Sequence, residues 1–257
     1  MTVPEIDELF AQALTGDYED DAPWEAIRAL RRIGNRQVFE KAADFCKSAH
    51  ALSRARGADI LGQLGKTIEH TSNSFPEDSH SVISEMVRIE TEPQALGSGI
   101  AALGHLENPL AVPLIASSTS HPSPDIRFNV AFALGCFPND PLSVEALISL
   151  TADIDEKVRD WATFALGVLG DIDSDEVREA LVQRLSDSSP DVREEAMVGL
   201  GKRNDPQVLP DLFKALEPPD PTERVIETAF HMLGMDTDRE GWSTADYAAA
   251  LRQRFSL

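Results

Sequence analysis

The sequence is poor in cysteine, in aromatic residues and in positive charge. Two cysteines, Cys46 and Cys136, occur among 257 residues. That is too few for a disulfide framework, and their spacing is not that of a zinc site. Aromatic residues make up 6% of the chain, as expected where a core is filled by alanine and leucine between close helices. Lys and Arg number 23 against 44 Asp and Glu, a formal net charge of -21. Such a charge opposes general binding to nucleic acid or to an anionic membrane and favours a basic partner. The opening stretch MTVPEIDELFAQAL has neither a basic start nor a long apolar run, so no signal peptide or membrane span is expected. The GxSxG, HExxH, Walker and dinucleotide-binding patterns are all missing. None of the six histidines (His50, His70, His80, His105, His121, His231) is followed directly by glutamate. No catalytic set, metal ligand group or cofactor site can be assigned from these residues.

What is there is a repeat. Asp155–Gly170 reads DEKVRDWATFALGVLG. Counted from Arg159, Ala162, Ala165, Leu166 and Leu169 follow at +3, +6, +7 and +10, a narrow apolar stripe on a helix that Gly170 closes. Equivalent segments close at Gly34, Gly65, Gly104, Pro138, Asn204 and Gly234, so successive ends lie 31, 39, 34, 32, 34 and 30 residues apart. A period in this range means stacked supersecondary units. The fold class expected is all-α, an α-solenoid (superhelix) of about seven helix pairs. They form a single domain over 1–257, with pairs near 4–34, 36–65, 76–104, 108–138, 141–170, 174–204 and 205–234 and a cap at 243–255. Cys46 then falls in the second pair and Cys136 in the fourth. Helices packed roughly 8–10 Å apart cannot bring such positions within disulfide reach, so free thiols and a reducing, cytoplasmic compartment are expected.

Local signals agree with the period. Thr2 and Glu5 read as a capping box ahead of the Ile6, Leu9, Phe10, Leu14 stripe, and Gly16 stops that helix. DYEDDAP reads as a polar turn, with Trp24 opening the next helix. Outer helices are introduced by Asn108-Pro109, Asp140-Pro141, Ser174-Asp175 and Asp205-Pro206, each led by an N-cap residue. The polar insertion Lys66–Phe75 accounts for the 39-residue step. Tyr247, Ala248, Leu251 and Phe255 can cover the last exposed face, as a terminal repeat requires.

The runs Asp187–Arg193, which ends in SPDVR, and Asp153–Arg159 each lead into a small-residue helix. They resemble HEAT repeats, and more narrowly the short HEAT-like repeats of the phycobilisome-lyase type. The likeness covers residues 4–234 and drifts in the second and third repeats. It implies that Asp153, Asp187, Arg127, Arg159 and Arg193 form a polar ladder tying neighbours together. It also implies an alternative function, a phycobilin-lyase-like enzyme or chromophore-binding protein. Deoxyhypusine hydroxylases, HEAT-like iron enzymes, carry His-Glu pairs that His105-Leu-Glu107 does not match.

If inner helices line a concave face, positions +1 and +5 point away from the stripe and into that face. These are Phe128 and Phe132 in the fourth repeat and Asp160 and Phe164 in the fifth, with Asn129 and Trp161 beside them at +2. Glu194 and Glu195 follow in the sixth. Aromatic residues ringed by acid predict a protein-binding surface for a basic protein or peptide. An open groove encloses a small molecule poorly, so no cofactor is expected. Residues 26–70 carry nine basic residues and four acidic ones, a local +5 that gives nucleic-acid binding as the weaker reading.

Overall fold

The computed structural model describes residues 6–18, 20–218, 220–235 and 240–257. Every regular element among them is helical. Thr2, Glu5 and the start of the first repeat lie outside the described residues. The chain divides into two compact units, Met1–Phe137 and Pro138–Leu257.

The first unit holds four antiparallel pairs. Outer helices α1 (Ile6–Ala13), α3 (Arg36–Phe45), α5 (Pro76–Ile89) and the Pro109–Ala116 segment, whose helix is α7 (Val112–Ala116), alternate with inner helices. The inner ones are α2 (Asp21–Ile33), α4 (Ala51–Gly62), α6 (Pro93–Leu106) and α8 (Pro124–Gly135). α2 packs on α4, α4 on α6 and α6 on α8, forming one layer. Small residues allow that approach: a Cβ added to Gly62 would sit 2.8 Å from the Ala102 Cβ. α2 starts at Asp21, three residues ahead of Trp24, because Asp21, Ala22 and Pro23 continue the helix and Pro23 is buried in it. Lys66–Phe75 contains no helix, yet its end is tied down. Asn73 Nδ2 donates to the Leu61 carbonyl at 2.7 Å, Ser74 N to Leu64 O at 2.8 Å, and Phe75 packs on Phe39. Both cysteines are free, and burial pushes the Cys46 thiol up to about 12.

The second unit holds three pairs and a cap. α9 (Pro141–Leu150), α11 (Asp175–Arg184) and α13 (Leu209–Ala215) form the outer side. α10 (Glu156–Phe164), α12 (Pro190–Lys202) and α14 (Glu223–Leu233) form the inner layer, which α15 (Thr244–Phe255) closes by packing on α14. Ser243 and Asp246 make a capping box, and Tyr247 and Leu251 are buried. The N-cap assignments hold: Asn108, Asp140, Ser174 and Asp205 each accept a backbone N–H of their own first turn.

One position of the stripe departs from expectation. Ala162, Ala165 and Leu166 are buried, but Leu169 is 40% exposed. Beyond Phe164 the helix widens into a π turn over Ala165–Leu169, closed by Gly170 N donating to Ala165 O at 3.0 Å. A wider turn advances less angle per residue and carries Leu169 off the buried face. Arg203 is buried beside this turn and donates to the carbonyls of Leu166, Gly167, Gly170, Ile172 and Gly199 at 2.8–3.2 Å.

The polar ladder is present within each unit. Arg159 forms a bidentate pair with Asp187, Nε to Oδ2 at 2.8 Å and Nη2 to Oδ1 at 2.9 Å. That contact holds the Asp187 carboxyl down to about 2. In the first unit Arg54 does the same with Glu90 at 2.5 and 2.8 Å. The second repeat therefore keeps the arginine, and a glutamate replaces the aspartate.

Candidate functional site

In the first unit the inner helices enclose a cleft of about 680 Å³. Its lining follows the +1 and +5 register: Trp24, Gln94 and Phe128 at +1, Asp59 and Ser98 at +5. Asn129 adds an amide beside Phe128 and also donates to the Asp125 carbonyl at 3.0 Å. At the floor the Tyr18 hydroxyl lies 3.1 Å from both Asp59 oxygens and 2.8 Å from Ser98 Oγ. Arg31 caps the same turn, donating from Nε and Nη2 to the Asp59 carbonyl at 3.0 and 2.7 Å. Beneath them Arg56 is fully buried, its guanidinium 4.3 Å from the Tyr18 ring and 4.9 Å from the Trp24 ring. Burial lifts the Asp59 carboxyl to about 6 against the pull of Arg31 and Arg56, and raises the Tyr18 phenol. His105 lines the cleft and packs edge-on against Phe132 with centroids 5.1 Å apart. Burial and the nearby Arg31 and Lys66 depress its imidazole to about 4, so it is neutral at physiological pH.

In the second unit Trp161 and Phe164 form an edge-to-face pair, centroids 5.6 Å apart. Arg224 lies over the Phe164 ring at 5.6 Å and pairs with Glu195 Oε1 at 2.6 Å. Asp160, Asp191 and Glu227 all act on Glu195. Burial, with that added repulsion, lifts Glu195 to about 7 in spite of Arg224. Burial likewise raises Asp160, whose buried Oδ1 has no hydrogen-bond partner among the described residues. Glu194 accepts from Thr222 Oγ1 at 2.8 Å.

The eight positions read from the sequence thus divide between the units. Phe128, Asn129 and Phe132 belong to the first, and Asp160, Trp161, Phe164, Glu194 and Glu195 to the second. All are half-buried except Glu195, which is 6% exposed and is not the solvent-facing acid that its spacing predicts. Carried back into the first three repeats, the same register picks out Trp24, Asp59, Gln94 and Ser98, which the aromatic signal of the fourth and fifth repeats does not reach. Tyr18 comes from the turn before α2 and follows no repeat position. The basic stretch 26–70 is largely used internally. Six of its nine cations have partners: Arg31, Arg56 and Lys66 on carbonyls, Arg36, Lys41 and Arg54 on carboxylates. Among the described residues no group of three or more His, Cys, Asp and Glu could hold a metal ion, and no helix is long and apolar enough to cross a membrane.

The HEAT repeats profile matches residues 82–167, 144–234 and 178–254, together more than half of the chain. The chain belongs to the HEAT-repeat family. Protein YibA of Escherichia coli strain K12 is 28% identical over 229 residues, covering 87% of this chain and 79% of YibA. The X-ray structure of Escherichia coli YibA superposes with a TM-score of 0.75 at 23% identity, over 98% of this chain and 93% of that one. A computationally designed armadillo repeat protein for modular peptide recognition matches at 0.50 and 14% identity, over 80% and 99% of the two chains. These likenesses concern the fold.

Proposed function

We propose that this HEAT-repeat protein is a non-catalytic interaction scaffold that takes a basic protein or peptide segment along its inner helices. The observation that carries the reading is the charge on the inner layer of the second unit. Three carboxylates, Asp160, Asp191 and Glu227, crowd the Glu195 side of the Glu195–Arg224 pair, beside the Trp161–Phe164 pair. An arginine or lysine from a partner would relieve that repulsion, and the aromatic faces would take its aliphatic stem or stack on its guanidinium. The fold supports the reading, since stacked helical repeats present extended binding surfaces. The acidic surface would raise the rate of encounter with a basic segment and disfavour acidic competitors.

Fluorescence anisotropy with a labelled arginine-rich peptide, and with a glutamate-rich peptide of equal length, tests this. The parent binds the basic peptide alone, and the Asp160→Asn/Asp191→Asn variant binds it about tenfold more weakly, the loss of roughly 1.4 kcal/mol of charge interaction. Equal binding by parent and variant, or equal binding of both peptides, would overturn the proposal.

A further inference from the structure

The inner layer of the second unit holds more acid than base. Glu195 on α12 faces Asp160 from α10, Asp191 one turn back on its own helix, and Arg224 and Glu227 from α14. The remaining neighbours of α12, α11 and the π turn, reach it at Gly199 through Leu181 and Gly167. Four carboxylates therefore share one guanidinium, and Arg224 holds Glu195 at 2.6 Å while lying over the Phe164 ring. Glu156 adds a further negative charge beside Asp160, and His231 Nε2 lies 3.6 Å from Glu227 Oε1.

These acids are not equally placed. Asp191 is exposed and Asp160 and Glu227 are half-buried, so water reaches them. Glu195 is buried, and its Oε2 has no hydrogen-bond partner among the described residues. An ionised carboxylate with one oxygen lacking a donor, packed among three others, is opposed both by burial and by like charge. A proton on Glu195 removes both costs. Burial, with the neighbouring acids, accordingly lifts its carboxyl to about 7 against the pull of Arg224.

We propose that a partner's arginine or lysine and a proton compete for this cluster, so that docking of the cation expels the Glu195 proton and the scaffold holds its basic partner more tightly at pH 8 than at pH 6. This rests on the scaffold reading above and adds its control. The cation settles against the outer edges of Asp160, Asp191 and Glu227, beside the Trp161–Phe164 pair. Its field stabilises the ionised form of Glu195 beneath them. One charge enters as one leaves: the Glu195 O–H bond breaks, the proton passes to water, and the net charge of the cluster is unchanged. The linkage is reciprocal, so protonation weakens docking by the factor by which docking weakens protonation.

Isothermal titration calorimetry on the full chain tests this, with an N-acetylated arginine-rich peptide that has no group titrating between pH 6 and pH 8. Titrations at pH 7 in PIPES and in imidazole, whose ionisation heats differ, count the protons. The parent releases about half a proton per peptide at pH 7, and its affinity rises about tenfold from pH 6 to pH 8. Glu195→Gln has no proton to expel, so its affinity is level across that range and close to that of the parent at pH 6. His231→Gln keeps the slope of the parent, which separates Glu195 from the histidine beside Glu227. A parent affinity equal at pH 6 and pH 8, a slope that survives Glu195→Gln, or one abolished by His231→Gln would overturn the inference and leave the scaffold reading standing. No binding at any pH would overturn both.

Discussion

Glu195→Gln tests how charge is held in the inner layer of the second unit. Glu195 is 6% exposed, touches Arg224 at 2.6 Å and has a second oxygen, Oε2, buried with no hydrogen-bond partner among the described residues. Its neighbours on α10, α12 and α14 are Asp160, Asp191, Arg224 and Glu227, three of them acidic. Burial lifts its carboxyl from the ordinary 4.5 to about 7. A carboxyl raised in the folded state binds a proton there that the unfolded chain has already released, so its contribution to stability is present below about pH 4.5 and is lost as pH rises toward 7. A rise of this size corresponds to roughly 3 kcal/mol. Glutamine keeps the shape of the protonated form and removes the titration. Thermal and urea unfolding followed by circular dichroism at pH 4.5 and pH 8 supplies the assay. The variant and the parent unfold alike at pH 4.5, and at pH 8 the variant is more stable by roughly 2–3 kcal/mol. Subtracting parent from variant at each pH removes the contribution of every group that the two chains share. A variant destabilised at pH 8 would refute the reasoning, because the Arg224 pair would then outweigh burial and the three neighbouring acids.

Three further outcomes follow from the packing. Asp187→Asn breaks the bidentate closure with Arg159 and lowers stability at neutral pH by roughly 2 kcal/mol. Because Asp187 is held down to about 2 from 3.8, the difference from the parent is present above pH 3.8 and shrinks as pH falls through 2, which acid titration of the unfolding midpoint reads out. Arg203→Met removes the donors of five carbonyls around the π turn and costs about 3–5 kcal/mol in urea unfolding; a cost under 1 kcal/mol would mean that those carbonyls find other partners. Ala162→Leu overpacks a fully buried position where α10 meets α12 and costs about 1–3 kcal/mol, and a variant melting like the parent would contradict the assignment of that face.

Most of the helical framework was legible in the sequence because it is written in local signals. N-caps such as Asp140 and Ser174 act within their own first turn, and the alanine stripe of α10 needs only the helical angle to be read. What escaped depended on contacts distant in the chain. The Arg54–Glu90 pair escapes because Glu90, two residues before its N-cap as Asp187 is, is followed six residues on by Leu96 and not by the arginine that marks the pattern at Arg193. Leu169 leaves the stripe because the angle per residue changes in the π turn, whose carbonyls are held by Arg203, 34 residues further along. The +1 and +5 register pointed to the inner face and, carried into the first repeats, selects the cleft residues Trp24, Asp59, Gln94 and Ser98. It could not show that Glu195 is covered, since the covering Arg224 arrives with the following repeat. Tyr18, which completes the Asp59–Ser98 network, sits in a turn with no periodic signature.

Hydrogen exchange measured by mass spectrometry, with and without a saturating arginine-rich peptide, tests the central claim most directly. The account predicts slowed exchange in peptides covering α10, α12 and α14, with the outer helices α9, α11 and α13 unchanged. Protection confined to the outer helices, or none at peptide concentrations that saturate the anisotropy signal, would contradict it.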